Sequence, residues 1–162
     1  MSDSFAIRPA SPEDVEVILG MVRELAEYEK LLHECVATEG QFHEALFGES
    51  PVSEALLGEL GGAPISFALF FHSFSTFVGK PGLYLEDLYV KPPYRGRGFG
   101  QAFLRKLAQI AVERDCGRFE WTVLDWNEPA IRAYDRIGAT ALNDWTIRRL
   151  EGANLKKLAN EA

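Results

Sequence analysis

A glycine-rich basic loop over residues 92–103, PPYRGRGFGQAF, is the first candidate for chemistry in this sequence. Gly96, Gly98 and Gly100 alternate with other residues, and Arg95 and Arg97 add two positive charges. A run with the apolar spacing of a helix follows at once. Because the first amides of a helix have no intrahelical acceptor and the helix dipole is positive there, this loop favours phosphate binding.

The spacing within the loop excludes two other phosphate motifs. A Walker loop needs Gly-Lys-Ser/Thr after its second glycine, whereas Gly100 is followed by Gln101. A dinucleotide fingerprint needs Gly-x-Gly-x-x-Gly, and the alternating glycines here depart from it. What remains is Arg-x-x-Gly-x-Gly, formed by Arg95, Gly98 and Gly100. The alternative interpretation is a plain glycine turn with arginines on its surface.

Two adjacent carboxylates form the second candidate for chemistry. Glu86 and Asp87 lie inside GLYLEDLYV, a predicted strand from Gly82 to Val90 that is otherwise rich in Leu, Tyr and Val. Neighbouring side chains of a regular strand face opposite sides, so one of the two carboxylates should point to the core. A carboxylate there is costly unless it is paired. The pair is therefore a candidate functional site, although Asp87 could equally be a structural hydrogen-bond acceptor.

The elements that position these residues are read from apolar spacing and capping signals. A strand is predicted from Phe5 to Ala10, and Ser11, Pro12 and Asp14 begin a helix that runs to about Tyr28. The other predicted elements are a short helix from Thr38 to Gly48, strands over 53–60, 65–74 and 82–90, a helix over 98–114, a strand over 118–126, a short helix over 128–138, a hairpin over 140–152 and a terminal helix over 154–162.

This order of elements predicts a mixed α/β fold around one central sheet. The length of 162 residues indicates a single domain over 1–162, with room for a substantial core. The composition, 47% hydrophobic and 25% charged, is that of an ordinary globular protein.

Charge and cysteine content exclude several classes of protein. The net charge of −7 argues against a nucleic-acid binder and is compatible with a cationic substrate. Cys35 and Cys116 are far apart and the three histidines show no metal-ligand spacing, so we expect neither a disulfide nor a metal site. The start of the chain does not resemble a signal peptide, and no apolar run approaches the ~20 residues of a membrane span. We therefore expect a cytoplasmic protein without membrane association.

The whole chain resembles the GCN5-related N-acetyltransferase (GNAT) family. The resemblance runs from IRPA through ELAEYEK, LYLEDLYV and the glycine loop to WNEPAIRAYDRIGA, and it is greatest to the diamine (spermidine/spermine) and thialysine acetyltransferases. It implies a mixed, mostly antiparallel central sheet flanked by helices. The segment ATALNDW after Gly138 is shorter and less acidic than in the polyamine enzymes, so the amine stays open.

The resemblance also implies where acetyl-CoA, the cosubstrate, binds. The loop would hold its diphosphate, and the backbone after the carboxylates would pair with its pantetheine arm as an added strand would. One backbone N–H of that stretch would also stabilise the thioester oxyanion. The implied cofactor contacts are Leu88, Tyr89, Val90, Arg95, Gly96, Arg97, Gly98, Phe99, Gly100, Gln101, Asn127, Glu128, Pro129 and Ala130.

Catalytic roles are implied for two residues. Tyr134 corresponds to the family's thiolate-protonating tyrosine, and a phenol suits the task because its pKa of ~10 lies just above that of a thiol, ~8.5. The resemblance assigns Glu86 either binding of the amine or the role of general base, and Glu86 is preferred over Asp87 as the functional carboxylate. A bulge is implied in their strand, which would splay it from its neighbour. The implied substrate contacts are Tyr28, Glu29, Glu86, Asp87, Trp121 and Thr122.

These residues predict an enzyme that moves acetyl from acetyl-CoA to a primary amine of a small cationic substrate. Attack would be direct, because neither cysteine has an adjacent base. Acetylation of a protein N-terminus or lysine is a second hypothesis, and a non-catalytic CoA-binding regulatory module is a third. The family branch further implies a homodimer in which a C-terminal hairpin strand can cross between subunits.

Overall fold

The computed structural model describes residues 4–161, which divide after Thr122 into two compact units. The first unit holds a five-stranded sheet in the order β1-β2-β3-β4-β5. Its strands are β1 (Phe5–Pro9), β2 (Glu54–Leu60), β3 (Ala63–Ser75), β4 (Lys80–Val90) and β5 (Arg118–Trp121), and its α-helices are α1 (Val15–Tyr28), α2 (Glu39–Phe47) and α3 (Phe99–Glu113).

The sheet is mixed but mostly antiparallel, as the family resemblance implies. Strands β1 to β4 pair antiparallel with their neighbours, and only β5 runs parallel, to β4. The β2–β3 connection is a tight turn in which Gly61 and Gly62 both have positive φ, a conformation that glycine adopts at no steric cost. The turn therefore forms where the sequence predicts it.

Local capping signals begin the first two α-helices where the sequence places them. The Ser11 N–H and hydroxyl both lie within hydrogen-bond distance of the Asp14 carboxylate, and a short 3₁₀ turn over Pro12–Asp14 leads into α1. At α2, the Gln41 N–H donates to the Thr38 hydroxyl oxygen while the Gln41 side chain accepts from the Thr38 N–H. Each pair satisfies amides at a helix start that would otherwise lack partners.

Helices cover both faces of the sheet because side chains along β2 alternate. Ala55 and Leu57 pack in one cluster with residues of α1. A Cβ at Gly58 would lie within 3 Å of the Phe103 ring of α3, on the other face. Burying each large apolar side chain contributes roughly 1.5–3 kcal/mol relative to exposure.

A partly buried ion-pair network ties the start of α1 to the sheet. Arg8 of β1 donates to both carboxylate oxygens of Asp14, at 2.7 and 2.9 Å, and to Glu59 of β2 at 2.8 and 3.0 Å. The hydrogen bond from Arg8 is the main cause that lowers the pKa of Asp14 to about 2. The Arg8–Asp14 pair therefore stays charged across the physiological pH range, and the hydrogen bonds of Arg8 join β1, β2 and the start of α1.

The second unit begins at Val123, and its described residues, 123–161, include the helices α4 (Glu128–Arg136) and α5 (Gly152–Ala159). The predicted hairpin over 140–152 is wrong, because the described residues there form no strand. Leu142, Trp145 and Ile147, whose spacing suggested strands, are exposed, and a hairpin needs a surface against which to bury its apolar face. The predicted strand over 118–126 is likewise too long, since β5 ends at Trp121.

Candidate active site

A β-bulge lies in the middle of β4 at Glu86. Leu69 of β3 pairs with Asp87, but the next residue, Phe70, pairs with Leu85, so Glu86 is an extra residue on its strand. A bulge bends its strand and increases the local twist. The bulge implied for this strand is thereby confirmed, and it falls on one of the two carboxylates.

Beyond the bulge, one edge of β4 is left open. β5 pairs only with residues 82–85 of β4, and within residues 4–161 no strand continues that pairing toward Val90. On the other side, the Lys91 N–H donates to the Ile65 carbonyl of β3 at 2.9 Å. Since backbone groups alternate in direction along a strand, the N–H and C=O of Leu88 and of Val90 point to the open edge.

Tyr89 has a different place from its two neighbours. Its backbone groups face β3 by the same alternation, and its ring is buried in the core. The hydroxyl donates to the Glu24 carboxylate at 2.9 Å, and burial together with Glu24 raises the pKa of Tyr89 to about 12. Of these three residues, therefore, Leu88 and Val90 have the backbone groups that can pair with a ligand along the open edge.

Three predicted site carboxylates come together to form an acidic corner: Glu29, Glu86 and Asp87. Glu86 is exposed, whereas Asp87 is half-buried. Burial raises the pKa of Asp87 to about 7, with further contributions from the negative charges of Glu86 and Glu29. Burial also raises the pKa of Glu29. Asp87 can therefore exchange a proton near neutral pH, an environment the sequence did not reveal when it favoured Glu86.

Aromatic candidates flank the corner within the first unit. Tyr28 is the last residue of α1 and adjoins Glu29. Trp121 ends β5 opposite Leu85, the residue before the bulge, with its ring centroid 4.8 Å from that of Phe119. Thr122 follows and is exposed. The predicted substrate residues thus lie at the ends of α1 and β5 and at the bulge of β4.

The glycine loop, Arg95 to Gln101, has the backbone conformation that its glycines suggest. Gly96 and Gly98 have φ of +75° and +83°, a region that residues with a side chain rarely adopt. Gly98 immediately precedes α3, and the Ala102 N–H makes a helical bond to its carbonyl at 3.0 Å. The N–H groups of Phe99, Gly100 and Gln101, which precede that bond, point out of the helix start.

The space around the loop fits an anionic ligand. A Cβ placed at Gly96, Gly98 or Gly100 would meet nothing within 4 Å, so the backbone is open to close approach. The guanidinium carbon of Arg97 lies 5.0 Å from the ring centroid of Phe99, which keeps its charge at the start of α3. Residues of this loop could hold the diphosphate of a CoA cosubstrate.

The second unit carries the remaining candidates on and before α4. Asn127 precedes the helix, and its carbonyl accepts from the Ile131 N–H at 3.1 Å. The Asn127 side chain makes no capping bond to the helix, and Pro129 lies in the first helical turn, a position that suits proline. Tyr134 is half-buried on α4. Glu128 is exposed and Ala130 half-buried.

Metal-ligand clusters and membrane-spanning helices are absent from the described part of the chain. Residues 4–161 contain no group of three His, Cys, Asp or Glu side chains arranged to hold a metal ion. None of the described helices has both the length and the apolar character needed to cross a bilayer.

Known proteins resemble this chain in sequence and in fold. A thialysine N-epsilon-acetyltransferase of Sus scrofa is 38% identical over 98% of this chain and 99% of its own, and one of Caenorhabditis elegans is 34% identical over 98% and 99%. An integron cassette protein from the mobile metagenome of V. cholerae superposes with a TM-score of 0.81 at 26% identity, covering 98% of this chain and 99% of its own.

The family signal covers most of the chain. Residues 20–139, which include the bulge, the open edge, the glycine loop and α4, match the acetyltransferase (GNAT) family. With this match and the sequence relatives above, the chain belongs to the GNAT family and is an N-acetyltransferase.

Proposed function

We propose that this enzyme transfers acetyl from acetyl-CoA to a primary amine of a small cationic molecule, such as a polyamine, a diamine or a thialysine-like amino acid. The observation that carries the proposal is the acidic corner of Glu29, Glu86 and Asp87 beside the open edge of β4. Three clustered carboxylates suit a substrate with more than one positive charge. The names of the thialysine acetyltransferase relatives support the same class.

The open edge and the glycine loop provide the proposed site for the cosubstrate. When bound, acetyl-CoA supplies an acetyl group activated as a thioester. Leu88 and Val90 would pair with the pantetheine arm, and one of their N–H groups would stabilise negative charge on the acyl oxygen. The loop amides and Arg97 would hold the diphosphate. Asn127, Glu128, Pro129 and Ala130 are proposed as further contacts.

Asp87 is the proposed base for the amine. An alkylammonium has a pKa of ~10.4, so it must lose a proton before its nitrogen can attack. A carboxylate with a pKa of about 7 is a stronger proton acceptor than an ordinary aspartate and is still largely ionised just above neutrality. Glu86 and Glu29 would then bind the cationic groups of the substrate.

Tyr134 is the proposed acid. This role rests on the match of the helix after WNEP to the family's tyrosine-bearing helix. A tyrosine hydroxyl would donate its proton to the departing thiolate, which completes the transfer without an acyl-enzyme. Replacing Tyr134 by Phe should lower kcat on the order of 100-fold while leaving the calorimetric affinity for acetyl-CoA nearly intact. Wild-type turnover in that variant would remove Tyr134 from the role.

The test of the proposed function is an amine panel with acetyl-CoA, read by release of the CoA thiol. Spermidine, putrescine, thialysine, lysine and peptides with free N-termini would be compared by kcat/KM. We expect the small polycationic amines to exceed the peptides. A preference for peptides would instead indicate a protein acetyltransferase, and CoA binding without any acetylated product would indicate a non-catalytic module.

A homodimer and a cytoplasmic location complete the proposal. Leu142, Trp145 and Ile147 are 61%, 80% and 72% exposed, which suits residues that a second copy covers. The two half-buried cysteines are unpaired, as is usual in a reducing compartment. Light scattering on the purified chain would show the dimer, and Trp145→Ser should shift it toward monomer. A wild-type monomer at all concentrations would contradict it.

A further inference from the structure

Arg95 makes a hydrogen bond that a simple diphosphate ligand would not need. Its Nε–H donates to the Val90 carbonyl oxygen at 2.8 Å. The side chain therefore turns back from the glycine loop toward the end of β4.

The carbonyl that Arg95 contacts belongs to the open edge. Lys91 donates its N–H to β3, so the Val90 carbonyl, on the opposite side of the same peptide plane, points away from β3. With this acceptor engaged by Arg95, the open edge presents the N–H and C=O of Leu88 and the N–H of Val90. The guanidinium thus decides where an arriving strand-like ligand can pair.

The same guanidinium packs on two aromatic rings from different elements. Its central carbon lies 4.8 Å from the ring centroid of Tyr28, at the end of α1, and 5.4 Å from that of Tyr89 in β4. Tyr89 is itself held by its bond to Glu24. A planar cation stacked on two rings loses less freedom than an exposed lysine would, so its orientation is well defined.

We propose that Arg95 is a positioning residue that joins the cosubstrate edge to the amine side of the site, rather than a ligand of the diphosphate. The Arg95 guanidinium orients the Val90 peptide through the hydrogen bond from Nε. The face of the same guanidinium packs on the ring of Tyr28, which adjoins Glu29 of the acidic corner. This role presupposes the acetyl transfer proposed above.

Arg97 provides a matched comparison within the same loop. It is two residues away and carries the same charge, but its guanidinium packs on Phe99, the first residue of α3. Its charge therefore remains at the helix start, where a diphosphate would bind. Replacing Arg95 and replacing Arg97 should therefore have different effects on kcat/KM with an acetyl donor that lacks the diphosphate.

The experiment compares two acetyl donors, acetyl-CoA and S-acetylpantetheine, which has the same thioester and arm but no diphosphate. Arg95→Ala should lower kcat/KM about five- to tenfold with both donors, as loss of one charged hydrogen bond and a cation–π contact implies. Arg97→Ala should lower it only with acetyl-CoA. A loss confined to acetyl-CoA in Arg95→Ala, or no loss with either donor, would overturn the proposal.

Conservative and double variants distinguish positioning from charge and from misfolding. Arg95→Lys should not restore activity, because a lysine has no planar guanidinium that can bond the Val90 carbonyl through one nitrogen while its face stacks on the Tyr28 and Tyr89 rings. Full restoration by Lys would contradict the proposal. Arg95→Ala should also raise KM for the amine, and combining it with Tyr28→Leu should add little further loss, whereas additive losses would contradict a shared role.

Binding measurements separate this inference from the proposed function. Calorimetric Kd values for CoA and for pantetheine give the same comparison without turnover: Arg95→Ala should weaken both, and Arg97→Ala only CoA. A wild-type chain that binds both ligands but releases no thiol would contradict the proposed function and leave the Arg95 comparison intact. Equal thermal midpoints among the variants would show that each is folded.

Discussion

The glycine loop and the acidic corner both adjoin β4, but they acquire their chemistry in opposite ways. The loop gets its form from its own residues, because Gly96 and Gly98 adopt backbone conformations that depend on the lack of a side chain. The corner depends on distant parts of the chain: burial and the negative charges of Glu86 and of Glu29, which directly follows α1, raise the pKa of Asp87. The proposed anion-binding site is therefore encoded locally, and the proposed base is assembled by the fold.

Charge is unevenly distributed along the chain. Residues 1–60 contain 13 acidic and 3 basic side chains, whereas residues 61–122 contain 5 acidic and 8 basic ones. The acidic corner draws Glu29 from the first segment and Glu86 and Asp87 from the second, so it forms only when the two segments fold together. The basic excess of the second segment, which carries the glycine loop, suits the proposed anionic cosubstrate.

Neutralising Asp87, the proposed base, should have the largest effect on the reaction. Asp87→Asn should lower kcat on the order of 100- to 1,000-fold, because a positioned base contributes roughly that much. Glu86→Gln is the matched control at the neighbouring position. It should raise KM for the amine and change kcat much less, both measured by thiol release. The reverse result would return the base to Glu86, the residue that the sequence favoured.

The pH dependence of the reaction tests whether the corner titrates as a base. Because the pKa of Asp87 is raised to about 7, log(kcat/KM) should rise by about one per pH unit below pH 7 and level off above it. In the Asp87→Asn variant this inflection should disappear from the residual activity. An inflection near pH 4 in the wild type would mean that Asp87 is an ordinary, solvated carboxylate.

The loop can be altered by one methyl group. Gly98→Ala places a Cβ at a φ of +83°, which costs roughly 1–2 kcal/mol, so the Kd for CoA should rise about tenfold. Gly62→Ala is the matched control, since Gly62 has the same φ and the same open surroundings in the β2–β3 turn. It should lower Tm, because the strain there opposes folding, and it should leave the Kd for CoA unchanged. Equal Kd values for both variants would contradict a binding role for the loop conformation.

The smallest expected effect is on stability. The folded-state pKa of Asp87 lies above its unfolded value, so the folded protein binds more protons between the two and loses stability as pH rises from about 4 to about 7. Asp87→Asn should therefore raise the free energy of unfolding at pH 8 by on the order of 2 kcal/mol, or Tm by about 5 °C. The gain should shrink toward pH 4 in calorimetric scans. An unchanged Tm at pH 8 would mean that Asp87 is not desolvated.

Sequence reasoning succeeded where neighbours in the chain decide the structure. Ser11 and Asp14 begin the first helix as predicted, and the second helix begins after Thr38 as predicted, because each capping bond joins groups only three residues apart. It failed at the predicted hairpin, where apolar spacing was correct for strands but the described residues offer no paired surface. Trp145 is exposed, and a segment with alternating apolar residues becomes a strand only where a neighbouring strand pairs with its backbone N–H and C=O groups.

The amino-acid sequence alone carries the family resemblance, the glycine-dependent backbone conformation of the loop and the two carboxylates of β4. Tertiary structure decided which carboxylate holds a proton near neutrality, which backbone groups stay on the open edge and where Arg95 points. The physical reason is range: backbone sterics act between adjacent residues, whereas desolvation, charge coupling and edge pairing depend on segments that only folding brings together.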